Sequence, residues 1–157
     1  MTIIIYAIYL ILFLIVLFLC LYFPLRLVSS IISDYYGAPY VALPQELVEQ
    51  IWQQVPVNPG SCIYDLGSGD GRVLFEALKQ YPDSLGRGLE ISWYPYFLSK
   101  WGIFSKRLTN RILISRKDFF GQDLGQADIV FIYQTRKLIE RLKPKFLSEL
   151  KDNCLIV

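Results

Sequence analysis

The sequence predicts an α/β fold, a mostly parallel sheet with helices on both faces, joined to one apolar N-terminal helix. Three observations carry this. Short apolar runs alternate with stretches of helical periodicity from residue 61 to the last residues, the pattern that builds β-α-β units. A glycine turn, Gly67-Ser68-Gly69-Asp70-Gly71, follows the first of those runs and opens a helix. Residues 3–23 form an unbroken run of apolar, aromatic and cysteine side chains without a charge, Gly or Pro.

The N-terminal run is long enough to cross roughly 30 Å of hydrocarbon as a helix of about 20 residues. A cleaved signal peptide needs a basic n-region, a shorter apolar core and a small-residue cleavage site, none of which is visible. A buried core helix is the third alternative. We therefore expect a transmembrane anchor over 1–25, a juxtamembrane segment over 26–43 and a globular domain over 44–157. Only Met1 and Thr2 precede the run, whereas Arg26 follows it and Lys and Arg recur beyond, so a single-pass chain keeps its domain in the cytoplasm. The net charge is only +2, which implies no strong attraction to polyanions; the scattered basic residues modestly favour an anionic leaflet.

There is no histidine, and the three cysteines, Cys20, Cys62 and Cys154, are far apart in apolar settings. Buried thiols are expected rather than disulfides or a metal site. A Ser/His or Cys/His pair, an imidazole base and a His-ligated metal are removed together.

Beyond Pro24, apolar residues at 28, 31, 32, 35 and 36 predict a helix lying on the membrane surface or on the domain. Pro44 opens a helix over 45–55, with Leu47, Val48, Ile51, Trp52 and Val55 on one face. Residues 61–66 are the first strand, and the helix after the glycine turn runs to about Tyr81, where Pro82 and Asp83 stop it. A second strand over 86–91 ends on Glu90, and Ser92 is placed to cap the next helix, which closes near Lys106 and Arg107. Strands over 111–115 and 126–133 follow. A helical stretch from about 136 to 151, interrupted by Pro144, leads into a fifth strand at 154–157. In an open parallel sheet the ligand site lies at the carboxyl ends of the strands, where strand order reverses.

The turn does not suit a dinucleotide. The fingerprint GxGxxG needs a third glycine where Arg72 stands, and no GxxxxGK[ST] loop is present. A carboxylate at Asp65 beside the turn suits a ligand carrying a positively charged amino group and repels a pyrophosphate. Glu90 is positioned to accept from a ribose diol or to stand as a solvated strand end. Asp118 is positioned to accept from an exocyclic amine, with Phe119 or Phe120 against a ring, or to cap a turn. Basic residues at 100, 106, 107, 111, 116 and 117 with aromatics at 93, 94, 96 and 101 would allow nucleic-acid stacking, but at helical spacing such aromatics more often face a core or a membrane.

Asp65-Leu66-Gly67-Ser68-Gly69-Asp70-Gly71-Arg72, the acid at Glu90, Lys117-Asp118-Phe119 and Asp128-Ile129-Val130 resemble the class I S-adenosylmethionine-dependent methyltransferases. With the N-terminal apolar segment, Pro39-Tyr40-Val41 and Pro44, the chain is similar to the small membrane-anchored protein-lysine methyltransferases, a family that includes the mitochondrial enzymes acting on the ATP synthase c-subunit and the adenine nucleotide translocase and has bacterial and archaeal relatives. The resemblance implies a Rossmann-like methyltransferase fold and S-adenosyl-L-methionine as cofactor. Asp65, Gly67, Ser68, Gly69 and Gly71 would border its methionine part, Glu90 its ribose, and Asp118 with Phe119 its adenine, with Tyr40 near the site. Tyr133 and Gln134 occupy the place where the family contacts the acceptor. The partners implied are the bilayer and a membrane-protein acceptor, with no metal and no nucleic acid. Relatives continue through a sixth and a seventh strand, so a C-terminally incomplete sheet is expected. The competing functions are a non-catalytic cofactor-binding membrane module and a methyltransferase for a small-molecule or lipid acceptor. The domain would face the cytoplasm, or the matrix in a mitochondrial relative.

Overall fold

The computed structural model describes residues 2–35 and 41–157, with side chains described over 2–32 and 41–157. Five parallel strands form one sheet in the order β3-β2-β1-β4-β5. They are β1 (Cys62–Leu66), β2 (Leu85–Leu89), β3 (Ile112–Ser115), β4 (Ile129–Ile132) and β5 (Leu155–Ile156). The helices are α1 (Thr2–Tyr35), α2 (Gln45–Gln54), α3 (Arg72–Gln80), α4 (Trp93–Ser105) and α5 (Arg136–Glu149), with a short 3-10 turn at Phe119–Gly121.

Alternation along β1 divides the core in two. Ile63 joins α2, α3 and α4 on one face, through Val48, Trp52, Leu74, Leu78 and Ile103. Tyr64 and Leu66 point to the other, where Leu142 and Phe146 of α5 cover the sheet with Leu124 and Ala127. The first cluster turns on Trp52. Fully buried, it donates its indole N–H to the Val73 carbonyl (3.0 Å) and so ties α2 to the start of α3.

Chain order sets the site. The strands progress outward from β1 to β2 and β3, then cross back to β4 on the opposite side of β1. That reversal opens a crevice at the carboxyl ends of β1 and β4. Register brings the ends level: Leu66 pairs with Leu89 and with Ile132. The next residues, Gly67, Glu90 and Tyr133, therefore converge on one mouth.

Two prolines sit inside helices, and Pro144 does less than expected. Pro24 lies inside α1, which continues to Tyr35 as one helix, and Pro144 lies inside α5. Proline deletes one backbone donor and crowds the preceding turn, but the remaining helical bonds carry both helices through, helped in α5 by the packing of Leu142 and Phe146. The segment after Pro24 also meets the domain by a different side from the one predicted. Val28 and Ile31 are exposed, whereas Ser29 is buried and Tyr22 is partly buried against α4. Tyr35 and Tyr36 lie outside the described side chains. Ser92 occupies the N-cap of α4, but no side-chain cap bond forms there; its backbone N–H is engaged instead, as described below.

Residues Thr2–Ile32 of α1 form a stretch long and apolar enough to cross a bilayer, and none of its most apolar window is buried against the domain. Among the described residues, α1 is therefore not part of this domain's core.

Candidate functional site

Beneath the strand ends lies a cavity of about 290 Å³, near the lower end of the roughly 300 Å³ at which small-molecule sites begin. Asp65, Gly67, Ser68, Gly69, Glu90, Asp118, Phe119, Tyr133 and Gln134 all line it. Nine of the sequence-predicted positions thus converge. Tyr40 lies outside the described residues, and Gly71 does not line the cavity.

The turn needs its glycines. Gly67, Gly69 and Gly71 have φ of +86°, +54° and +86°, the left-handed region that costs side-chain-bearing residues roughly 1–2 kcal/mol. Gly67 is also crowded: a Cβ there would run into Gln134 Nε2. Gly71 serves packing rather than the cavity. It caps α3, and a Cβ would lie 2.8 Å from the Phe75 ring and 3.2 Å from Ile114.

Asp65 is 3% exposed, and its Oδ2 has no hydrogen-bond partner among the described residues. Burial above all, then the charges of Glu90 and Asp70, push its carboxyl well above the usual range. Ser68 Oγ is likewise buried and without a partner among the described residues. A buried carboxyl so placed, in one cavity with an unused hydroxyl, gives up its proton readily only to a ligand that brings a cationic donor.

Glu90 is engaged at both oxygens. Oε2 accepts the Gly69 N–H at 2.9 Å and Oε1 accepts the Ser92 N–H at 2.7 Å. The carboxylate thereby pins the glycine turn to the start of α4, with lone pairs remaining on each oxygen. Burial raises its pKa, and those N–H groups partly offset the shift.

Asp118 accepts the Phe120 N–H through Oδ1 (2.9 Å), capping the 3-10 turn that presents Phe119 and Phe120 to the cavity. The cap and the wall are one construction. On the opposite side Gln134 Nε2 donates to the Leu66 carbonyl at 3.4 Å, and Tyr133 is half exposed at the mouth.

A clasp escaped the sequence. Arg72 forks onto Asp70, Nη2 to Oδ2 at 2.6 Å and Nε to Oδ1 at 3.0 Å, and its Nη1 donates to the Leu43 carbonyl at 2.7 Å. It holds Val41, Ala42 and Leu43 as one wall of the cavity. The only available signal was an acid two residues before an arginine, with no hint of Leu43, 29 residues away.

The profile of the ANTKMT methyltransferase domain matches residues 65–157. The chain belongs to that family. A protein-lysine N-methyltransferase of Saccharolobus islandicus is 31% identical over 119 residues, covering 76% of this chain and 74% of the relative. The ATP synthase c-subunit lysine N-methyltransferase of Caenorhabditis elegans is 29% identical over 121 residues, covering 73% of this chain and 62% of that one. The fold matches an RNA methyltransferase from Salinibacter ruber in complex with S-adenosyl-L-homocysteine, with a TM-score of 0.67 at 24% identity over 71% of this chain and 72% of that one. As an ANTKMT-family domain this is a class I S-adenosylmethionine-dependent methyltransferase, and the buried carboxylate and glycine cradle fit such a cofactor.

Proposed function

We propose that this ANTKMT-family enzyme is a membrane-tethered protein-lysine N-methyltransferase whose acceptor is a lysine of a membrane protein close to the cytoplasmic face. The observation that carries the reading is the junction of the two parts of the chain: the cavity with Asp65 at its floor belongs to a domain whose α4 packs on the apolar helix α1. The lysine-modifying relatives support the acceptor class.

S-adenosylmethionine would supply, when bound, an electrophilic sulfonium methyl for in-line transfer to a neutral amine, with S-adenosylhomocysteine as the leaving group and the proton of the resulting methylammonium lost to water. Asp65 Oδ2 would take the cofactor's amino group and Ser68 Oγ would lie beside it; Gly67 and Gly69 let the backbone approach closely. Glu90 would accept from the ribose while keeping its bonds to Gly69 and Ser92, and Asp118 would accept at the adenine, with Phe119 along the ring. Tyr133 and Gln134 stand where the acceptor enters and would orient the lysine Nζ. The apolar walls of Leu43, Phe120 and Phe131 limit water at the cavity's inner end, which favours the neutral form of an entering amine. Position and dryness are most of what such a displacement asks of a protein, in keeping with a chain that has no histidine. Tethering confines enzyme and acceptor to one plane and raises their effective concentration.

The test is incubation of the full chain in membranes with methyl-labelled S-adenosylmethionine, followed by separate protein and lipid extraction. Label on protein lysine is expected. Label confined to lipid or small molecules overturns the acceptor, and cofactor binding without transfer identifies a binding module.

A further inference from the structure

Among the described residues, no helix or strand covers the outer face of α4. Trp93, Phe97, Trp101 and Phe104 recur at i, i+4, i+8 and i+11 and so share one side of the helix, opposite the buried Pro95, Ser99 and Ile103. They are 37%, 51%, 70% and 69% exposed. Single exposed apolar residues are ordinary, but four aromatics in one stripe are an interaction surface. Trp93 stacks on Phe97 with ring centroids 5.5 Å apart, and the Arg116 guanidinium lies 4.0 Å from the Trp93 ring centroid.

What covers this stripe is decided by its neighbour. The first turn of α4 is fastened to α1 where the apolar run ends: Tyr94 meets Tyr22 edge-on at 5.8 Å, Arg26 sits 4.7 Å over the Tyr94 ring, and the Tyr94 N–H donates to Ser29 Oγ at 3.2 Å. Whatever plane α1 enters therefore lies beside α4. Trp and Phe beside exposed Lys100 and Arg107 match a bilayer boundary, with rings at the level where headgroups meet acyl chains and cations at headgroup phosphates.

We infer that the outer face of α4 is a bilayer-docking surface that seats the domain flat on the membrane beside α1. The inference rests on the reading of α1 as a membrane span. It fixes how the site is presented: α4 starts directly after Glu90, Ile91 and Ser92, which line the cavity, so docking the stripe holds the mouth near the membrane surface instead of letting it swing on a tether.

The chain carries its own probes. Trp52 is fully buried, whereas Trp93 and Trp101 lie on the stripe. The full chain is reconstituted in vesicles of phosphatidylcholine and phosphatidylglycerol with brominated acyl chains, and the difference in emission between the parent and Trp101→Phe isolates Trp101. Carbonate extraction reports separately on α1. Bromolipid quenching and a blue shift of the Trp101 emission are expected. Carbonate-resistant protein whose Trp101 is unquenched overturns docking and leaves the span standing. Quenching of protein that carbonate then extracts upholds docking and overturns the span. Neither quenching nor resistance overturns both. Blue-shifted but unquenched emission means that protein covers the stripe, which also overturns docking.

Discussion

The glycine turn and the outer face of α4 depart from the usual partition of side chains in opposite directions. At the turn carboxylates are buried, Asp65 and Glu90 being 3% and 7% exposed, and Asp65 Oδ2 lacks a partner among the described residues. On α4 aromatic rings stand in the open. Each arrangement is unfavourable in water, and each becomes favourable beside the right neighbour: a cation for the carboxylates, a lipid boundary for the rings. The two are adjacent in sequence, since Glu90 ends one region and Trp93 begins the other. On the proposed docking, a single strand end faces the cofactor on one side and the membrane on the other.

The sharpest way to break the comparison is at the turn. Gly69→Val forces a β-branched residue into φ of +54° beside the Glu90 carboxylate, and cofactor binding should vanish by calorimetry while carbonate resistance is untouched. Arg72→Ala removes the fork to Asp70 and the bond to Leu43, charged hydrogen bonds of about 1.5–3 kcal/mol each before solvent screening. About tenfold weaker cofactor binding is expected, because the wall at 41–43 is loosened but the turn survives. Trp101→Glu should leave cofactor affinity unchanged and lower the labelling of membrane protein several-fold, an outcome that separates docking from chemistry.

The smallest effect concerns stability of the empty protein. The Asp65 carboxyl is raised on folding, so the native chain retains a proton that the unfolded chain has released, and stability falls as pH climbs from the usual carboxylate range through the raised value. Asp65→Asn removes that penalty. By differential scanning fluorimetry it should melt above the parent at neutral pH, with the two converging as pH falls towards about 4.

Local signals were legible in the sequence. Gly67 and Gly69 announce a backbone that other residues cannot adopt, and Asp65 and Glu90 stand where strand periodicity ends, so both the turn and its acids were found. Gly71 shows the limit, because the same conformational demand served packing against Phe75 and Ile114. Local propensity makes Pro144 an interruption, and packing and the rest of α5 outweigh it. The Arg72 clasp on Leu43 and the seat of Tyr94 on Ser29 are contacts across 29 and 65 residues, formed only once the chain has folded. No periodicity carries them.

The central claim is that the buried carboxylate at the floor of the cavity receives the cationic end of S-adenosylmethionine. Its most direct test is calorimetric titration of the cofactor into the full chain and into Asp65→Asn, which preserves shape and removes the charge. Losing one member of a buried charge pair costs about 2–5 kcal/mol, so the variant should bind at least about 30-fold more weakly while remaining folded. Equal affinity in the two proteins would contradict the account.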